Sequence, residues 1–291
     1  MKTDLECTQC IILQALNVLK LDSHDEKTSQ EFLKIILKEM DKIDYQDSPA
    51  ANSNFIYHKY SQFTGLQDPY LDIKVSINNA ALEIYPELEE IVENSPDPMY
   101  TSARAAVAGN EIDFGVHLSG KKRPDLKGII EEIRNKPLSH DDFPTFAKDL
   151  KDARKVLYLS DNAGEIVFDK LFINQIIKSG KEVVLVVKSA PILNDATADD
   201  IKHVGLDKLV KIVETGNNCI GVNFNQISQE LLDELEDSDI IISKGQANFE
   251  SLDEIKNKKI FFLLKAKCEI IARELGVNHL DVVFEESRFY Q

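Results

Sequence analysis

The spacing of apolar and polar residues changes character midway along the chain. In the first half the apolar positions keep helical spacing. The segment from Ile11 to Leu21 reads as a helix, and between Thr28 and Lys42 the residues Phe32, Ile35, Ile36 and Met40 mark one face of another. Asp47-Ser48-Pro49 and Asp68-Pro69-Tyr70 read as turns, and helical periodicity restarts after the second. It covers Ile84 to Val92 and stops at Pro96-Asp97-Pro98, because a residue before proline is pushed out of the helical region. A helix resumes from Thr101 to Val107. This half shows no ladder of strands, no internal repeat and no low-complexity linker.

After Pro144 the pattern is different. Short apolar runs at Lys155 to Ser160, Glu182 to Lys188, Leu209 to Glu214, Asp239 to Ser243 and Ile260 to Leu264 alternate with helical stretches, among them Phe224 to Leu235 and Leu252 to Lys256. Such alternation predicts βαβ units, hence a mainly parallel sheet with helices on both faces. The expected fold class is α/β, with a mostly helical N-terminal domain over residues 1–145 and an α/β domain over residues 146–291.

The ends of the predicted strands carry the candidate chemistry. The first strand runs into Asp161-Asn162, followed by Gly164 and an amphipathic segment that reaches Gly180. In an open α/β sheet the carboxyl ends of the strands face the ligand crevice. A carboxylate beside a carboxamide offers hard oxygen donors suited to Mg²⁺ or Mn²⁺, although Asp161 also reads as an ordinary helix cap. The second strand is followed by Leu193-Asn194-Asp195-Ala196-Thr197, and the fourth by Lys244-Gly245-Gln246-Ala247-Asn248-Phe249-Glu250. Each segment alone has a capping explanation. Together they converge on one edge of the sheet, where carboxylates and amides would hold a divalent cation and Lys244 an anion. Metal, lysine and helix N-termini make a phosphate site.

Composition narrows the choice. A net charge of −16 over 291 residues excludes a general nucleic-acid surface. No run approaches the roughly 20 apolar residues of a membrane span, and Met1 to Glu6 lacks the basic start of a signal peptide, so a cytoplasmic location without membrane contact is expected. The oligomeric state is not legible. Dinucleotide-binding, P-loop and nucleophile-elbow motifs are absent. Of four cysteines, Cys7 and Cys10 form a CxxC that reads as a redox pair, half of a metal site, or two semi-buried helix residues. Arg104 to Gly115 is rich in small residues; Gly109-Asn110 closes a helix, and nothing in the residues alone makes Asn110 or Asp113 a ligand.

Asp161-Asn162-Ala163-Gly164-Glu165 with Asp169, the Leu193 to Thr197 segment and the Lys244 to Glu250 segment together resemble the DUF89 family of metal-dependent damage-control phosphatases. The CxxC and the Arg104 to Asp113 stretch resemble its subfamily with an N-terminal CxxC, and the likeness extends over essentially the whole chain. The resemblance implies a three-layer α/β/α core and hydrolysis of small phosphomonoester metabolites, sugar phosphates included, with Mg²⁺, Mn²⁺, Co²⁺ or Ni²⁺. It places metal ligands on Asp161, Asn162 and Asp195, and a phosphate-contacting lysine on Lys244. Asp161 or Asp195 could also orient the attacking water. Asn194, Asn248 and Glu250 fall inside matched motifs as candidate substrate contacts. Two other readings stay open: a metal- or nucleotide-binding module without turnover, and a redox protein centred on the CxxC.

Overall fold

The computed structural model describes residues 1–21, 24–109 and 126–289; Asn110 and Asp113 lie outside them. Among the described residues seven strands form one sheet: β1 (His140–Asp141), β2 (Lys155–Leu159), β3 (Glu182–Val187), β4 (Lys211–Glu214), β5 (Ile240–Lys244), β6 (Ile260–Lys265) and β7 (Val282–Glu286). Their order is β1-β7-β6-β5-β2-β3-β4, and every neighbouring pair is parallel except β6 with β7. Five of these are the expected apolar runs. The two additions, β1 and β7, sit together at one edge, and neither carries a strong sequence signal: β1 is two polar residues, and β7 ends in Glu285-Glu286.

The central strands are apolar throughout because both faces are covered. Val156, Tyr158, Leu185, Ile242 and Leu263 point into one core; Leu157, Leu159, Val186, Ile241 and Phe262 point into another. Helices α10 (Gln229–Asp237), α11 (Gln246–Leu252) and α12 (Glu269–Leu275) close the second core through Leu231, Phe249, Leu252 and Ile271. The first is closed by α4 (Leu71–Glu93), α5 (Pro98–Gly109), α6 (Leu126–Asn135), α7 (Phe143–Asp152), α8 (Glu165–Lys178) and α9 (Ala198–Val204). The result is the expected three-layer α/β/α arrangement. Two helix boundaries differ from expectation. The helix anticipated from Phe224 starts only at Gln229, where the Ser228 side chain caps Leu231 N at 3.2 Å. The stretch anticipated as helical from Leu252 is the end of α11 followed by turn.

The small residues of α5 have a packing reason. Ala103, Ala105, Ala106 and Ala108 are buried against the sheet core, and a Cβ on Gly109 would lie 2.9 Å from Phe168 Cβ of α8. Only glycine allows the two helices that approach. Helices α1 (Cys7–Val18), α2 (Glu26–Glu39) and α3 (Pro49–Thr64) build a separate cluster from Ile11, Phe32, Ile36, Ile56 and Tyr60. That cluster also takes in Ile192 and Ile220, from the loops after β3 and β4. These three helices therefore lie over the carboxyl edge of the sheet. Among the described residues no helix is long and apolar enough to cross a membrane.

Candidate active site

Two strand-end loops are stitched together at that edge. Ala163 N donates to Asn194 O at 2.8 Å, Ala196 N donates to Asp161 O at 2.8 Å, and Asn162 pairs with Asp195 in an isolated antiparallel bridge. Asp161, Asn162 and Asp195 are thereby brought together. A third strand end closes on them. Gly245 follows β5 with φ +80°, and a Cβ built there would lie 2.1 Å from Asp161 Oδ2. The Asp161 carboxylate thus occupies the space that any other residue at position 245 would fill. The Asn162 amide nitrogen donates to Asp161 Oδ2 at 2.7 Å and to Glu165 Oε2 at 3.3 Å, which leaves its carbonyl oxygen as an acceptor.

The electrostatics are those of crowded carboxylates. Burial, then the Glu165 and Asp195 charges, push the Asp161 carboxyl up to about 8, against the opposing pull of Lys267 and Lys244. Asp195 is also raised, by burial first; Lys188 opposes the rise and Glu165 adds to it. Two carboxylates this reluctant to ionise, with an amide carbonyl beside them, form a donor set that a hard divalent cation would satisfy. Among the described residues no three His, Cys, Asp or Glu side chains gather as a metal cluster. The set therefore rests on two carboxylates and an amide oxygen, which fits Mg²⁺ or Mn²⁺ better than Zn²⁺.

Lys244 occupies a different environment from an exposed turn. Its side chain is fully buried, and its ammonium donates to Ala106 O at 2.9 Å, to Asp169 Oδ1 at 2.6 Å and to Glu165 Oε1. Burial alone would lower its pKa, but Asp169 and Glu165 more than reverse this and hold it above the usual range. All three of its protons are committed inside the protein. It connects to Asn162 through Glu165, whose other oxygen accepts from the Asn162 amide. Asp169 also accepts from Tyr158 Oη at 2.6 Å, while burial raises its carboxyl to about 6 against the pull of Lys244.

Asn248 is likewise turned inward. Its amide donates to Ser160 O at 3.0 Å and Lys244 O at 2.8 Å, so it ties the end of β2 to the end of β5. Asn194 and Glu250 face a cavity of about 650 Å³ that also exposes Asp161, Asn162 and Asp195. Burial raises the Glu250 carboxyl to about 7, with the Gln246 amide at 2.9 Å opposing. The opposite wall comes from α1 and α3, with Gln14, Ser53 and Tyr57. Cys7, Cys10 and Cys268 line the same cavity as free thiols, and burial pushes Cys7 up to about 11.

Sequence reading missed the parts that support this floor. Glu165 and Asp169 belong to the matched motif but carry no role in the sequence reading; they sit in the first two turns of α8 and form a buried ion triad with Lys244 only when β5 lies beside β2. Asn78 of α4 accepts from Gly164 N at 2.7 Å and donates to Asp200 at 3.0 Å, while Lys74 pairs with Asp68 at 2.8 Å and Asp200 at 3.3 Å. No local motif announces that link.

Comparison with known proteins identifies the family and the fold. The model of the damage-control phosphatase ARMT1-like domain matches residues 3–283. A damage-control phosphatase of Pyrococcus horikoshii is 33% identical over 292 residues, covering 99% of this chain and 99% of that protein. A damage-control phosphatase of Archaeoglobus fulgidus is 33% identical over 290 residues, covering 97% of this chain and 98% of that protein. The crystal structure of a DUF89 family protein from Pyrococcus horikoshii superposes with a TM-score of 0.91 at 33% identity, over 99% of this chain and 100% of that one.

Proposed function

Because the chain belongs to the DUF89 family of damage-control phosphatase ARMT1-like domains, we propose that it hydrolyses small phosphomonoester metabolites, sugar phosphates among them, with a divalent cation. The observation that carries the reading is the pairing of two strand-end loops that sets Asp161, Asn162 and Asp195 together on the floor of a cavity of about 650 Å³. That volume suits a small metabolite.

Asp161, Asn162 and Asp195 would hold Mg²⁺, Mn²⁺, Co²⁺ or Ni²⁺, which supplies Lewis-acid activation of the phosphoryl group and of the attacking water. The chain's own groups do the rest. Glu165, fixed by Lys244, orients the Asn162 amide. Asp161 or Asp195 would accept a hydrogen bond from the attacking water; as its oxygen bonds to phosphorus the ester P–O bond breaks, and the leaving oxygen takes up a proton to give the alcohol and inorganic phosphate. The organic part of the substrate would lie against Gln14, Ser53, Tyr57 and Asn194. In this reading residues 1–145 act largely as the substrate-selecting part, and residues 146–291 supply the metal site.

The test is a panel of p-nitrophenyl phosphate and sugar phosphates, assayed with each of the four cations and with chelator. Metal-dependent release of phosphate that chelator abolishes is the expected result. Tight metal and ligand binding without turnover on any phosphomonoester would make the protein a binding module instead.

A further inference from the structure

The two loops that carry Asp161, Asn162 and Asp195 are joined directly by the backbone bonds from Ala163 N to Asn194 O and from Ala196 N to Asp161 O, both 2.8 Å. One bridge of that kind fixes a line of contact and leaves the loops free to rock about it. A second link is made of buried side chains and starts on α4. Asn78, fully buried, accepts from Gly164 N at 2.7 Å through its oxygen and donates to Asp200 Oδ1 at 3.0 Å through its nitrogen. Asp200 Oδ2 in turn accepts from Thr197 N at 3.0 Å and from Thr197 Oγ1 at 2.8 Å. Gly164 stands two residues after Asn162, and Thr197 two residues after Asp195. One carboxamide, with the carboxylate it holds, therefore ties the far ends of both loops.

The anchor of this link is charged and out of water. Lys74, one helical turn before Asn78 on α4, is buried and pairs with Asp200 at 3.3 Å and with Asp68 at 2.8 Å. Lys74, Asn78 and Thr197 thus hold Asp200 together. A buried polar network whose members are all satisfied is rigid, because any displacement leaves a group unpaired at low dielectric.

We propose that Asn78, braced by Lys74 and Asp200, sets the separation of the two metal-holding loops and so selects the size of the cation. The inference rests on the metal-dependent reading above and deepens it. Mg²⁺ demands near-ideal octahedral geometry, whereas Ca²⁺ accepts longer bonds and irregular sites. A donor set held at fixed spacing favours the smaller ion, and loosening it costs the smaller ion more. Asn78 is a positioning residue here; it acts through Gly164 and Asp200 on the loops that hold the ion.

The test is competition with Mn²⁺, followed by the paramagnetic resonance of the free ion, which reads Mg²⁺ and Ca²⁺ affinities without turnover. Asn78→Ala removes both links; Asn78→Ser keeps a polar group that is too short to span both partners. Each should weaken Mg²⁺ about ten- to a hundredfold, the usual cost of losing a group that orients metal ligands. Ca²⁺ should weaken by a factor about ten smaller, so the preference for Mg²⁺ over Ca²⁺ falls. Asn54→Ala is the control for lost stability alone. Asn54, also buried, accepts from Ile220 N at 2.6 Å and joins neither metal-holding loop; its removal should lower Tm and leave the Mg²⁺ to Ca²⁺ ratio as it was. A ratio unchanged in both Asn78 variants, a ratio that moves equally in Asn54→Ala, or a wild type that binds none of the three cations overturns the inference. A wild type whose ion preference depends on Asn78 but that turns over no phosphomonoester sustains the inference and sinks the phosphatase reading.

Discussion

Replacing Lys244 by Met separates charge from volume at the most buried ion cluster of the fold. Methionine keeps most of the aliphatic stem and removes the ammonium. Three acceptors then lose their donor: Ala106 O, Asp169 Oδ1 and Glu165 Oε1, all around a side chain with no solvent exposure. Breaking a buried pair leaves an uncompensated charge and costs about 3–5 kcal/mol, a large share of the roughly 5–15 kcal/mol that stabilises a domain. The loss must depend on pH. Burial already lifts Asp169 to about 6, and Lys244 is the main force holding it down. A carboxyl raised in the folded state favours folding below its unfolded value near 4 and loses that contribution as pH climbs to the folded one. Without Lys244 the folded value moves higher still, so the deficit of Lys244→Met grows from pH 5 to pH 8. Asp169→Asn added to Lys244→Met should recover part of it, because the pair shares one interaction. Urea unfolding at both pH values is the assay. A deficit below about 1 kcal/mol and independent of pH would show that the ammonium is not the keystone its contacts describe.

Three further outcomes are expected. Asp161→Asn should remove the Mn²⁺-induced rise in Tm, worth about 2.7 kcal/mol to the wild type at a hundredfold Kd. The metal-free variant should also escape the wild type's loss of stability between about pH 4 and pH 8, where burial has raised Asp161; a full Mn²⁺ shift would refute its place as a ligand. Gly245→Ala should cost about 1–3 kcal/mol for a backbone region that is nearly glycine's alone, and should displace the Asp161 carboxylate 2.1 Å from the new Cβ; calorimetry that finds unaltered Mn²⁺ affinity would contradict the close approach. Replacing Cys7 and Cys10 together by Ser should leave kcat within about tenfold, since phosphate hydrolysis needs no thiolate and Cys7 is pushed up to about 11; a collapse of kcat in a variant that still melts cooperatively would bring the thiols into the chemistry.

Apolar runs bounded by turn residues made the central strands legible, because a parallel sheet buried on both faces needs nearly continuous apolar sequence. Strand β7 was not, since its apolar part is only Val282-Val283-Phe284 and its antiparallel pairing with β6 follows from tertiary packing. The convergence of Asp161, Asn162 and Asp195 was legible for a related reason: each stands within a residue or two of a turn, where the strand ends meet at one edge of the sheet. Lysines were harder. Lys244 lies at a strand end by sequence, yet it is the last residue of β5 and its side chain alternates inward with Ile240 and Ile242 toward α5 and α8. The CxxC lies far in sequence from the strand ends, yet α1 folds back over the sheet edge and sets both thiols in the cavity with Asp161. Separation along the chain carries no information about separation in a sheet whose cover comes from the first three helices.

The division of labour among the lysines follows from charge balance. Four carboxylates lie close together in the interior, Asp161, Asp195, Glu165 and Asp169, and two buried lysines, Lys188 and Lys244, pair with members of the group, while a third, Lys74, pairs with Asp68 and Asp200. Fully ionised, the group carries two negative charges in excess, the charge of one divalent cation. Metal-free, that excess appears as raised carboxyl pKa values, most plainly at Asp161. Neutralisation by the two lysines is uneven. Lys244 is bound to Glu165 and Asp169, and Lys188 lies beside Asp195. Asp161 accepts from the Asn162 amide at 2.7 Å, and the Lys267 and Lys244 charges act on it against its burial. Asp161 and Asp195 both line the cavity, where a cation can enter. A lysine buried against Asp161 would compete with that cation for the carboxylate.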